Sequence, residues 1–163
     1  MTGFLKGAAL VLVLVLLQTS VLPLYLTTLY KPDLLLILMV FLALRAPVST
    51  SLPAAYGLGL LKDCLSGLYL GLNAFSFLIV YLVLKALSDR LYVQNALLLV
   101  LTVSLSTLAT MLINTVLLTI FSEANGIFSS MLTAMLPHLL MNAFVASLVA
   151  VFPELGRAAK AVK

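Results

Sequence analysis

From Ala96 to Phe121 the chain carries no charged side chain, and from Ile127 to Phe152 its one ionisable group is His138. About 20 predominantly apolar residues cross the ~30 Å hydrocarbon interior of a bilayer as a helix. A surface helix of a water-soluble protein of this length would need a charged face, and neither stretch has one. Both are therefore read as spans. Composition says the same of the rest: 64% of the residues are apolar, 9% are charged, and mean hydropathy is +1.26. A soluble domain carries about 25% charged residues. So few charges cannot cover the surface of a folded chain in water, so the solvent is lipid.

That reading disposes of several function classes. The net charge of +4 is not a nucleic-acid signal, because Lys and Arg in a membrane protein mainly report which loops face the cytoplasm. Cys64 is the sole cysteine, so no intrachain disulfide or cysteine-based metal cluster can form. With one His as well, a coordination shell is out of reach, and no cofactor or metal is implied. With no tryptophan, the six tyrosines supply most of any interfacial aromatic belt.

Helices are expected over 7–29, 33–45, 50–66, 72–88, 95–121 and 127–153. The first begins like a signal peptide, with Lys6 before the apolar run Ala8–Leu17, but no small-x-small cleavage site follows. It reads instead as a retained span kinked at Pro23. The second is short: Leu34–Leu44 extends only about 16 Å at 1.5 Å per residue. It is well built nonetheless, with Pro32 and Asp33 suiting the positive end of the helix, Arg45 the negative end, and Ala46-Pro47 a stop. Together with 50–66 it forms either two short spanning helices or one re-entrant hairpin. Six spans with a cytoplasmic N-terminus place Lys6, Arg45, Lys85, Arg90, Arg157, Lys160 and Lys163 inside, against Lys31 outside with Asp33 and Glu123. The positive-inside rule favours this arrangement, an all-α polytopic bundle with both termini cytoplasmic. A re-entrant hairpin ranks second.

Ionisable residues within spans usually face protein or water. Here they are Lys62, Asp63 and His138. Ala55, Gly59, Asp63 and Gly67 recur every four residues and share a face, a small-xxx-small stripe that admits another backbone closely. Asp63 should point into the bundle, as a packing group or a partner-binding one; no second intramembrane carboxylate offers a proton relay. Lys62, roughly 100° around the helix, is expected to snorkel to the outer surface. Ser104, Thr107 and Asn114 line one side of the fifth helix, with Met111 between them. In the sixth, Met131, Met135, His138 and Asn142 form a second stripe, and Pro137 frees a carbonyl one turn earlier. His138 is read as packed and hydrogen-bonded. Searches for chemistry return nothing: Gly57-Leu58-Gly59 lacks the third glycine of a dinucleotide loop, no Walker A loop exists, and His138 is too deep for a Ser/His/Asp set. No catalytic residue is assigned.

The run Lys31-Pro32-Asp33-Leu34-Leu35-Leu36, with Leu42-Ala43-Leu44-Arg45, resembles the second helix of the rod shape-determining MreD family. Further along, Gly59, Asp63, Ser66 and Gly67 fit that family's G-x-x-x-D-x-x-S-G pattern, and Leu70-Gly71-Leu72-Asn73-Ala74-Phe75-Ser76 its L-G-x-N-A-x-S pattern. The motifs cover roughly residues 31–80, and Gln18-Thr19-Ser20 also agrees. The resemblance implies a non-enzymatic inner-membrane component of the bacterial elongation machinery. It implies binding to MreC and, through it, links to MreB filaments and to RodA with its transpeptidase, which build lateral peptidoglycan. It also implies a six-helix bundle similar to the substrate-binding subunit of energy-coupling-factor transporters. The rival reading is such a subunit itself, binding a small vitamin-type solute; the short outer loop around Tyr30–Asp33 offers little to close over a ligand. A membrane transferase would need clustered carboxylates, which Asp63 alone cannot supply.

Overall fold

In the computed structural model, residues 2–27, 30–67, 69–88, 96–121 and 127–161 are described, with the side chains of 7–27, 30–67, 69–87, 97–121 and 133–151. Lys6, Arg90, Glu123, Asn125, Met131, Arg157, Lys160 and Lys163, on which part of the charge asymmetry and one polar stripe rest, fall outside the described side chains. Helix is the sole regular structure among the described residues. In order, α1 is Thr2–Leu16, followed by a π-helical segment Leu17–Val21 and a last turn α2, Leu22–Tyr25. Then come α3 (Leu34–Arg45), α4 (Val48–Ser66), α5 (Leu72–Ser88), α6 (Ala96–Phe121) and α7 (Ile127–Ala161).

Among the described residues, three helical segments are long and apolar enough to cross a membrane: Gly7–Tyr25, Leu97–Phe121 and Thr133–Val151. Leu34–Arg45 and Leu72–Leu87 are shorter apolar helices. The kink expected at Pro23 takes a definite form. Proline has no N–H to offer the carbonyl four residues back, and its ring crowds that carbonyl. The helix accommodates this by widening, so that the Leu22 amide bonds to Leu17 five residues earlier.

At the centre lies α3, with Leu34–Val40 and Ala43 all buried. It touches α1, α4, α5, α6 and α7. The caps read from the sequence are in place: Asp33 accepts from the Leu36 amide at 3.2 Å, and Arg45 stacks over Phe41 one turn back, 4.7 Å from its centroid. One further cap comes from α5, where Lys85 Nζ donates to the carbonyls of Ala43 (3.3 Å) and Ala46 (2.9 Å).

With 12 residues, about 18 Å, α3 is too short for a full span. Its N-cap is pinned: the Asp33 amide donates to Asn142 Oδ1 at 2.7 Å, and Asn142 lies near the middle of α7, Ile127–Ala161. The helix expected over 33–45 thus starts near mid-depth of α7 and ends at Arg45. Residues 31–33, which are not helical, lead into it. Irregular backbone at membrane depth is tolerated where protein or a cavity surrounds it, and residues 31–33 line a cavity within the bundle.

The closest helix pairs are α6 with α7 and α4 with α5. In lipid, apolar side chains gain no hydrophobic driving force from meeting each other, so close packing and hydrogen bonds hold such pairs. Gly59 permits the α4–α5 approach. A Cβ there would sit 2.9 Å from the Ala74 amide nitrogen and the Asn73 carbonyl oxygen. Further along, the hydroxyls of Ser51 and Tyr81 meet at 2.7 Å.

Candidate functional site: a polar network and cavity within the bundle

The chain reverses between α4 and α5 through two glycines with positive φ, Gly67 (64°) and Gly71 (99°). Both lie in the left-handed region that other residues rarely adopt. Gly67 caps α4, its amide bonding back to the Asp63 carbonyl. The reversal places the start of α5 directly over the Asp63 carboxylate. Oδ2 accepts from the Gly71 amide (2.9 Å) and the Ala74 amide (3.1 Å). Oδ1 accepts from the Asn73 amide (2.8 Å) and from Asn73 Nδ2 (2.9 Å). The first N–H groups of a helix have no partner within it, and a carboxylate there also complements the helix dipole. Asp63, 2% exposed, is thus the cap of α5 supplied by α4.

From Asp63 the network continues. Asn114 Nδ2 donates to Asn73 Oδ1 at 3.1 Å, and Ser76 Oγ donates to Asn114 Oδ1. Those bonds tie α4, α5 and α6 together. A second branch starts at Asp33, whose carboxylate pairs with Lys62. Lys62 Nζ also sits 5.1 Å from the centre of the Phe77 ring. The Asp33 amide bonds to Asn142, and Asn142 Nδ2 donates to Thr107 Oγ1 at 3.0 Å, joining α3, α7 and α6. Lys62 and Asp63 are adjacent in sequence, so the branches meet on α4.

The expected polar residues therefore divide as follows. Asp63, Asn114 and Asn142 are buried, and each is bonded to a residue of a neighbouring helix: Asp63 and Asn114 to the start of α5, Asn142 to Thr107 of α6. Ala55 and Gly59 are buried on the α4 face that α5 covers, whereas Gly67 is exposed at the turn and acts through its φ. Lys62 does not run to the outer surface: a carboxylate stands within reach in the interior, and a paired ammonium is satisfied there. Ser104 bonds its own helix at Val100 (2.9 Å), apart from the network. His138 is half-buried and lines a cavity.

That cavity, of about 400 Å3, is bounded by the π-helical segment, by α3 and its non-helical entry, by the start of α5, and by α4, α6 and α7. Lys31, Asp33, Lys62 and His138 contribute its ionisable groups, while Leu36, Met111 and Leu118 supply apolar wall. Sequence reasoning missed three residues here. Asn73 and Gln18 enter the sequence reading only as parts of motifs, and Thr110 is not singled out, although it is one turn from both Ser106 and Asn114 on the buried side of α6. Among the described residues, no group of three His, Cys, Asp or Glu side chains is placed to hold a metal.

The family model for the rod shape-determining protein MreD matches residues 1–155. No curated protein and no solved structure matches the chain. The match takes in the two-glycine turn, the Asp63 cap and both branches of the network, and reaches well beyond the segment that carries the motifs. The chain belongs to the MreD family, membrane proteins of the elongation machinery that determine rod shape.

Proposed function

We propose that this chain is a non-enzymatic scaffold of the cytoplasmic membrane that binds MreC. Through MreC it supports lateral peptidoglycan synthesis by RodA and its transpeptidase, in register with MreB filaments. The observation that carries this reading is what the intramembrane polar groups do. Asp33, Lys62, Asp63, Asn73, Asn114 and Asn142 are bonded to one another across five helices, as a rigid holder requires. Both described carboxylates, Asp33 and Asp63, are engaged in structural bonds, to Lys62 and to the start of α5. The family is a structural, shape-determining one, which agrees. The vitamin-binding alternative has no comparable support.

In this reading the bundle crosses the membrane six times with both termini in the cytoplasm, α3 being a partial crossing completed by the 31–33 entry. MreC docks by helix packing. The Gly59 face is already covered by α5, which favours a bundle-stabilising role for that stripe. The helix better placed to receive a partner is α1, whose Leu12, Leu16 and nearby Leu24 are uncovered. In a depletion strain, the intact gene should restore cell width, and Asp63→Leu should fail more severely than Lys62→Leu. Full rescue by a chain whose α1 cannot pack against MreC would reject the docking assignment.

A further inference from the structure

The cavity is neither electrically balanced nor fully hydrogen-bonded. Among the described residues lining it, Lys31 and Lys62 face a single carboxylate, Asp33. Lys62 and Asp33 pair with each other, so among the described lining residues no second carboxylate faces Lys31. Two oxygens at this wall have no hydrogen-bond partner, Gln18 Oε1 and Thr110 Oγ1. Thr110 is only 2% exposed. A buried polar atom left without a partner is rare in native proteins and usually marks a missing water, ion or ligand. Here two such atoms line the same space as a surplus cation.

Gln18 lines the cavity from the π-helical segment and His138 from α7. Among the described residues α1 packs on α3 and makes little contact with α7. Leu72, Met111 and Leu118 give the cavity an apolar lining beside its polar end. A free anion would satisfy the polar end and leave that apolar lining unused. An amphiphile satisfies both.

We propose that the cavity holds the headgroup of an anionic glycerophospholipid whose acyl chains leave between the first helix and α7. One phosphodiester charge matches the surplus of one cation. Glycerol hydroxyls donate to Gln18 Oε1 and exchange a hydrogen bond with Thr110 Oγ1. A volume of about 400 Å3 lies within the range of small-ligand sites, roughly 300–1,000 Å3. A choline headgroup is excluded on both counts, having no net charge and no hydroxyl. This inference does not rest on MreC binding, and either can fail without the other.

The test is native mass spectrometry of the full chain released from nanodiscs of equal phosphatidylglycerol and phosphatidylcholine. One phosphatidylglycerol should survive activation that strips all phosphatidylcholine. Lys31→Gln should lower that retention about tenfold, the loss of one charge-assisted hydrogen bond, and Thr110→Val should lower it several-fold. Helicity by circular dichroism checks that both variants are folded, and the wild-type lipid preference alone remains decisive if they are not. Equal retention of the two lipids would overturn the proposal. So would displacement of the lipid by water-soluble glycerol 1-phosphate at equal concentration, or a tightly held peptide in its place.

Discussion

Replacing Asp63 by leucine removes the acceptor for four hydrogen bonds at once, and the structure sets the expected size of the loss. Of the three backbone amides concerned, those of Asn73 and Ala74 belong to buried residues, 5% and 1% exposed. A buried donor stranded without a partner costs about 1–3 kcal/mol. Two of them amount to about 4 kcal/mol, since both residues are buried and the leucine offers no acceptor in place of the carboxylate. Asp63→Asn keeps one carbonyl oxygen and turns an NH2 towards donors that already carry hydrogen, so it should lose about half as much. The assay is reversible unfolding of the purified chain by SDS in mixed micelles, following helicity. An interhelical side-chain hydrogen bond in a membrane protein is worth about 0.6 kcal/mol on average. Asp63→Leu should therefore stand well apart from ordinary polar substitutions in the same bundle. A loss below about 1 kcal/mol would refute the capping argument, because stranded buried amides cannot be that cheap.

Gly59→Ala should destabilise by about 1–3 kcal/mol in the same assay, because the new methyl meets the Ala74 backbone. Gly57→Ala, where a Cβ has open space, should be neutral or stabilising by up to about 1 kcal/mol; equal losses at both glycines would contradict the packing described. Asn142→Ala strands the Asp33 amide and should cost about 1–3 kcal/mol, read by unfolding and by faster amide exchange at the start of α3. The exposed thiol of Cys64, near the end of α4 that faces outward in the proposed topology, should react with an impermeant maleimide in right-side-out vesicles. Reaction confined to inverted vesicles would reverse the orientation.

How much of this was legible in the sequence depends on the range of the interactions. Hydropathy reports contact with lipid, so the long spans at Gly7–Tyr25 and Leu97–Phe121 stand out unaided. Caps within a helix are local, and Pro32, Asp33 and Arg45 announced both ends of α3. Asp63 was visible as a residue that must face inward, but its partners were not. The periodicity of α4 relates it to Gly59 and Gly67 along one helix, whereas its bonds reach forward to Gly71, Asn73 and Ala74 across a turn whose shape two glycines set. The spacing of an aspartate four residues before Gly67 and eight before Gly71-x-Asn73 was the available signal. Lys62 was misplaced because snorkelling is the default for a lone lysine. Its carboxylate lies at the far end of the preceding helix, and only the antiparallel α3–α4 arrangement brings the two together. Depth was the least legible quantity. The length of α3 allowed two arrangements, and the Asp33–Asn142 bond, which joins residues 109 positions apart, has no local signal in the sequence.

These pieces describe one device: a central partial helix clamped by hydrogen bonds among five helices, with apolar faces left towards lipid. A holder of this kind needs rigidity more than reactivity, and its polar residues supply it. The most direct test is co-purification. The full chain, expressed with an MreC-like protein from the same membrane and extracted in a mild detergent, should carry that protein through two affinity steps. Substitutions along Leu12, Leu16 and Leu24 should weaken recovery without unfolding the bundle. Failure to recover it with both proteins well expressed and folded would contradict the scaffold account.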